Sequence, residues 1–176
     1  YDKVQFISWE LYTGPCFDPT YPAHGSYAGL SNTTVDYRTD ALGQCWDIDA
    51  RLAFLAEAIN QAYQLADHSS DTLKIFLAPE FLCRGAGGAY LHDLLNGWVD
   101  AAPASFGLPA PYQKAWGGLF GGMQTLAADN RFVDFLFIFG TTISASFPTA
   151  KSINGEYLLD PTQPGEVYNT ALIQRG

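Results

Sequence analysis

One carboxylate in this chain stands directly after an apolar, strand-like run. In Leu73-Lys74-Ile75-Phe76-Leu77-Ala78-Pro79-Glu80, an almost continuously apolar run ends at a proline and is followed at once by Glu80. A carboxylate just past the end of a buried strand is held rigidly at the rim of a sheet, within reach of a thiol or water it could deprotonate. Moved out of water, such a group favours its neutral acid, so it stays ionised only if a cation or several donors offset the burial. The base reading therefore expects Glu80 to face a cleft and to have a cationic neighbour; the alternative is a structural carboxylate capping the following turn. Cys83 lies three residues on, but with no partner histidine beside it, it reads more simply as a small core residue. His24, His68 and His92 are scattered among loop and helix-start contexts and form no triad. Gly85-Ala86-Gly87-Gly88 lacks the spacing of a phosphate-binding loop and reads as a sharp turn beside the rim.

The elements that must position Glu80 follow from hydrophobic periodicity. Val4 to Trp9 alternates as a strand. Leu11 to Gln44 is rich in Gly, Pro, Asn, Thr and Asp without periodicity, a long loop or insertion. Asp47 is a candidate N-cap for a helix over Ile48 to Ala66, where Leu52, Leu55, Ile59, Ala62, Tyr63 and Ala66 recur at three- and four-residue steps. Leu73 to Ala78 reads as a strand covered on both faces. A short helix is expected at Tyr90 to Val99, and another over Lys114 to Asn130 despite its glycines. Val133 to Thr142 and Val167 to Ile173 read as two further buried strands. This order predicts a layered α/β fold in one domain.

Composition narrows the function. The 176 residues are 48% hydrophobic and 15% charged, as in ordinary globular domains. A net charge of -9 makes nucleic acid and anionic membrane surfaces poor partners. The longest apolar stretch, Phe132 to Ile143, falls short of the roughly 18–20 residues a membrane span needs. The spacing of Cys16, Cys45 and Cys83 suits no structural metal site. Cys16 and Cys45 could form a disulfide or remain thiols, and Asn32-Thr33-Thr34 is a glycosylation sequon. Together with the low lysine content, these features lean towards a secreted or extracytoplasmic protein.

Four blocks stand in a characteristic order: Lys3 to Trp9, Trp46 to Leu52, Ile75 to Gly85 with its Ala-Pro-Glu-Phe core, and Phe137 to Thr141 followed by Val167-Tyr168-Asn169-Thr170-Ala171-Leu172-Ile173. In order and spacing they resemble the N-terminal half of the nitrilase superfamily of carbon–nitrogen hydrolases. Two segments depart from that pattern, the long Leu11 to Gln44 stretch and an enlarged Ala104 to Gly122. The resemblance implies an αββα four-layer sandwich, of which residues 1–176 supply the N-terminal portion. It also implies hydrolysis of a small amide or nitrile by a Glu-Lys-Cys set through a thioester, without metal or organic cofactor. Only Glu80 carries over, as the base; the lysine and cysteine would lie beyond Gly176 or on a complementary chain, so the segment alone is expected to be inactive. Phe81, Tyr90 and Tyr168 are candidates to line the substrate pocket, although most large aromatics in such a chain are core. Val167 to Ile173 runs into what reads as a hairpin turn at Gln174-Arg175-Gly176, so a neighbouring strand is expected from further polypeptide. Members of the family commonly assemble, which makes a homo-oligomer a fair expectation. The rival reading is a catalytically silent nitrilase-like module that binds or assembles. A third makes the Leu11 to Gln44 and Ala104 to Gly122 segments partner-binding surfaces of an oligomer subunit.

Overall fold

The computed structural model describes residues 1–11, 13, 15–16, 26–27, 41–85, 88–146, 148–151, 153–155, 157–160 and 162–176, with backbone alone at 15–16, 26–27, 149, 151 and 157–159. In chain order the strands and helices are β1 (Lys3–Ser8), β2 (Pro15–Cys16), β3 (Ser26–Tyr27), α1 (Ala41–Leu65), β4 (Thr72–Leu77), β5 (Tyr90–Leu91), α2 (Asp93–Asn96), β6 (Trp98–Ala101), β7 (Lys114–Trp116), α3 (Gly118–Ala127), β8 (Phe135–Ser146), β9 (Thr149–Lys151), β10 (Tyr157–Leu159) and β11 (Glu166–Arg175). The protein is thus mixed α/β. Its main sheet has the order β1-β4-β8-β11, with β1, β4 and β8 parallel, β11 antiparallel to β8, and β5 added to the far end of β8.

Side chains on a strand alternate between faces, and here the two faces differ sharply. Phe76 of β4 and Phe135, Phe137 and Phe139 of β8 point to one side and are at most 2% exposed. The three β8 rings form a stack, with Phe135 and Phe137 centroids 5.5 Å apart and Phe137 and Phe139 5.4 Å apart, and Phe76 packs on Phe137 at a tilt. Against this side the core gathers Ile48, Leu55 and Ile59 of α1 and Leu119 and Met123 of α3. Each such side chain contributes about 1.5–3 kcal/mol on burial. The expected helix over Ile48 to Ala66 is therefore present, but it begins at Ala41, and its buried stripe runs back through Gln44 and Cys45. Asp47 is accordingly no N-cap: it is an interior helical residue, buried and paired with Arg51.

The opposite face is apolar and uncovered among the described residues. Register places Val4 beside Leu73, Phe6 beside Ile75 and Leu136, and Leu77 beside Ile138 and Ile173. Phe6 is 68% exposed and Ile173 59%. The described residues thus form two layers, helices on one sheet. β11 is also not the buried strand anticipated from its sequence: it is an edge, and Val167 is 69% exposed. A hydrophobic sequence cannot tell a strand already covered on both faces from one with a face still bare.

The remaining differences are local. The Tyr90 to Val99 region is not one helix but β5, the single-turn α2 and β6; the Lys114 to Asn130 region opens with β7 before α3. Among the described residues no helix is long and apolar enough to cross a membrane.

β8 carries a bulge, where the register with β11 shifts between Ala171 and Ile173. Gly140, at the bulge, has φ +70°, and a Cβ there would stand 2.0 Å from the Pro79 carbonyl oxygen. Only a residue without a side chain lets β8 come this close to the chain just before Glu80. We expect Gly140→Ala to destabilise the fold by roughly 2–5 kcal/mol, from backbone strain plus the clash, seen as a lower urea midpoint.

Candidate functional site

Glu80 lies at the C-terminal ends of the parallel strands, the side on which open α/β sheets receive ligands. The chain reaches it through two ladder bonds: Trp9 N–H to Leu77 O at 2.9 Å and Ala78 N–H to Ile138 O at 2.9 Å. Pro79 has no N–H to continue the ladder, and the chain turns. The peptide groups around Glu80 are then held from both sides. Thr13 Oγ1 donates to the Glu80 carbonyl at 2.7 Å, and the Phe81 N–H donates to Thr141 Oγ1 at 2.9 Å. Arg84 Nη2 in turn donates to the Thr13 carbonyl at 2.7 Å, with its guanidinium carbon 5.8 Å from the Phe81 ring centre. Phe81 has φ 58°, a conformation that costs a bulky residue of the order of 1–3 kcal/mol and persists only where surroundings over-determine it.

Beneath the turn is a buried polar cluster. Arg51 Nε donates to Asp47 Oδ2 at 2.8 Å, and its Nη1 donates to the Leu82 carbonyl at 2.5 Å. The Tyr90 hydroxyl donates to the same Asp47 oxygen. The ion pair is 4% and 5% exposed. Burial works against the charge on Arg51, but the Tyr90 and Asp47 oxygens outweigh it and hold the guanidinium above the ordinary arginine value. Burial drives the Tyr90 hydroxyl well above the usual tyrosine range and pushes the Cys83 thiol up to about 12. Cys83 is therefore a neutral thiol at physiological pH and not a nucleophile. Its backbone bridges to β8 at Thr142, and its carbonyl accepts the Ile143 N–H at 2.9 Å. Gly85 packs its bare Cα side on Tyr90, where a Cβ would meet the ring at 3.0 Å.

The residues singled out in the sequence are placed as follows. Phe81 adjoins Glu80 and is partly exposed. Tyr90 lines no pocket: it is 0% exposed, its hydroxyl spent on Asp47. Tyr168 is on the rim of β11, bonded to Glu166 and with its ring 4.6 Å from that of His92. It pairs with Ser144, beyond the bulge and on the helix-facing side, so it does not join Glu80. Cys45 is fully buried in α1, while the Cys16 side chain, His24 and Asn32 lie outside the described residues. His68 meets the Tyr63 ring edge-on, with centroids 4.7 Å apart. His92 Nδ1 is 3.0 Å from Ser144 Oγ, a pairing the sequence did not suggest, but Ser144 is 0% exposed and cannot meet a substrate.

Glu80 itself is exposed. The sequence-based expectation of a carboxylate withdrawn from water into a cleft is corrected in this respect. Two concavities, of about 500 and 400 Å³, lie instead around α3, one lined by Trp98, Trp116 and Phe120, the other by Asp49, Leu52 and Trp116. The only acid in either, Asp49, is taken up by Tyr112 and Trp116, so they offer space without chemistry. Among the described residues no group of three or more His, Cys, Asp or Glu is arranged to hold a metal ion. Thr141, whose hydroxyl fixes the turn, alternates onto the uncovered face, which places Glu80 where that face meets the strand ends.

The sequence reading took Asp47 for an N-cap and gave Arg51, Thr13 and Thr141 no part in the site. Asp47 and Arg51 had a usable signal: opposite charges four apart on the same helical stripe as Ile48 and Leu55.

Compared with family models, with curated proteins and with solved structures, the chain finds no match.

Asp47→Ala would leave the Arg51 guanidinium buried and uncompensated, and we expect it to lower unfolding free energy by about 3–5 kcal/mol, measured by urea denaturation. Between the ordinary thiol value of 9.0 and about 12, the folded chain keeps the Cys83 proton that the unfolded chain releases. Stability attributable to this group is thus complete below pH 9 and falls as pH rises through that window. Native Cys83 should resist iodoacetamide at neutral pH and react on unfolding, as followed by peptide mass spectrometry.

Proposed function

We propose that residues 1–176 form part of a carbon–nitrogen hydrolase of the nitrilase type, in which Glu80 is the general base for hydrolysis of a small amide or nitrile. The observation that carries this reading is the setting of Glu80: a carboxylate at the C-terminal tip of a central parallel strand, on a turn over-determined by Thr13, Thr141 and Arg51, beside an apolar sheet face that is uncovered among the described residues. Such rigidity around an exposed acid has no evident structural purpose, since among the described residues its carboxylate holds nothing that the fold requires.

In this reading a second sheet covers the Val4, Phe6, Ile75, Leu136 and Ile173 face, completes the αββα sandwich and walls in Glu80. The cysteine nucleophile and the lysine that steadies the tetrahedral oxyanion come from further polypeptide or a complementary chain. Glu80 takes the thiol proton as sulfur attacks the acyl carbon, returns it to the leaving nitrogen, and in the second half activates the water that opens the thioester. Enclosure by the second sheet would strip water from the carboxylate, and the lysine would offset that loss.

A second reading is favoured by the exposure of Glu80: a silent nitrilase-like module that uses the bare face and the β11 edge for homo-oligomeric or other assembly. Ammonia release from a panel of short aliphatic and aryl amides by the complete protein separates the two. Turnover that falls at least a hundredfold in Glu80→Gln, with residues 1–176 alone inactive, is expected for the hydrolase. Unchanged turnover in Glu80→Gln would eliminate the base role, and no turnover on any of the amides would favour the silent module.

A further inference from the structure

We infer that Thr141 is a positioning residue for Glu80, acting through the Phe81 N–H; this rests on the reading of Glu80 as the base. Two unusual pieces of backbone meet here. On the turn, Phe81 takes a left-handed φ of 58° immediately after Glu80. On β8, Gly140 takes φ +70° and gives up its side chain to let the Pro79 carbonyl approach. That close approach delivers the next residue, Thr141, to the turn, and its Oγ1 accepts the Phe81 N–H at 2.9 Å.

The bond fixes the peptide that leaves Glu80, while Thr13 Oγ1 fixes the carbonyl of the same peptide at 2.7 Å. With both ends of one peptide plane held, the Cα–Cβ direction of Glu80 is set by the backbone and not by contacts of its carboxylate. That suits a base, whose oxygens must be left open to the group they deprotonate. The ladder of β8 does not require the Thr141 hydroxyl, because the strand pairs with β11 through backbone groups alone, Thr141 lying opposite Ala171. The hydroxyl is therefore accounted for by the turn.

Thr141→Val keeps the branched shape and removes the acceptor; Thr141→Ser keeps the acceptor. Both are to be made in the complete protein beside Glu80→Gln, and two quantities read: amide exchange at Phe81 by NMR, and kcat and KM for ammonia release from the same amide panel. The valine variant should exchange its Phe81 amide at least tenfold faster and lose about tenfold to a hundredfold in kcat with KM little changed, and the serine variant should match the parent in both. If the valine variant fails to fold, the serine variant decides: parental exchange and kcat support the role, and a loss in either overturns it. A folded valine variant with parental exchange or parental kcat, against an inactive Glu80→Gln, would overturn the inference and leave the base reading standing. An active Glu80→Gln would overturn both.

Discussion

The buried ion pair between Asp47 and Arg51 ties this molecule together. Asp47 and Arg51 sit on the face of α1 that enters the core, where a charge is tolerated when it is paired and hydrogen-bonded, although Asp47 Oδ1 and Arg51 Nη2 have no partner among the described residues. Arg51 reaches across to the Leu82 carbonyl, and Asp47 receives the Tyr90 hydroxyl. In this way the helix layer grips the chain on both sides of the segment that follows Glu80. The glycine contact between β8 and Pro79 supports that segment from the sheet. Helix, turn and sheet are joined at one place, and it is the place where the candidate base emerges.

Much of this arrangement was legible in the residues. Period-two and continuous apolar runs located β1, β4, β8 and β11 to within a few residues, because the strand period is carried by the side-chain pattern itself; which face stays bare is not. The Pro-Glu at the end of β4 marked the rim. What could not be read depended on tertiary context. Asp47 has the chemistry of an N-cap, and nothing local reveals that the helix starts at Ala41 and makes it an interior partner of Arg51. Phe81 is a residue that local propensity would never assign to the left-handed region; only the tether to Thr141, sixty residues away, places it there. Tyr90 looked like a pocket residue because aromatics suit both pockets and cores, and its hydroxyl proved to have a buried acceptor.

The faces of the sheet carry the functional tension. On one side phenylalanine rings are close-packed beneath two helices. On the other, Phe6 and Ile173 are bare, and a contiguous apolar surface of that kind belongs against a partner layer. An exposed Glu80 is a weak base candidate in isolation and a well-placed one at the border of such a layer. The two features make sense together: covering the face is the same event that would enclose the carboxylate. The two concavities around α3 lack a free acid, base or nucleophile among the described residues and do not compete as a site of chemistry.

Hydroxyl-radical footprinting of the intact protein tests this directly, since it reports side-chain solvent access in solution without assuming a substrate. Phe6, Ile75 and Ile173 should be strongly protected from oxidation, along with Phe81 at the turn, while Val99 and Val133 on the helix side react freely. Oxidation of Phe6 and Ile173 at the rate of those two valines would mean that no second layer covers the sheet, and the account of Glu80 as an enclosed base would be wrong.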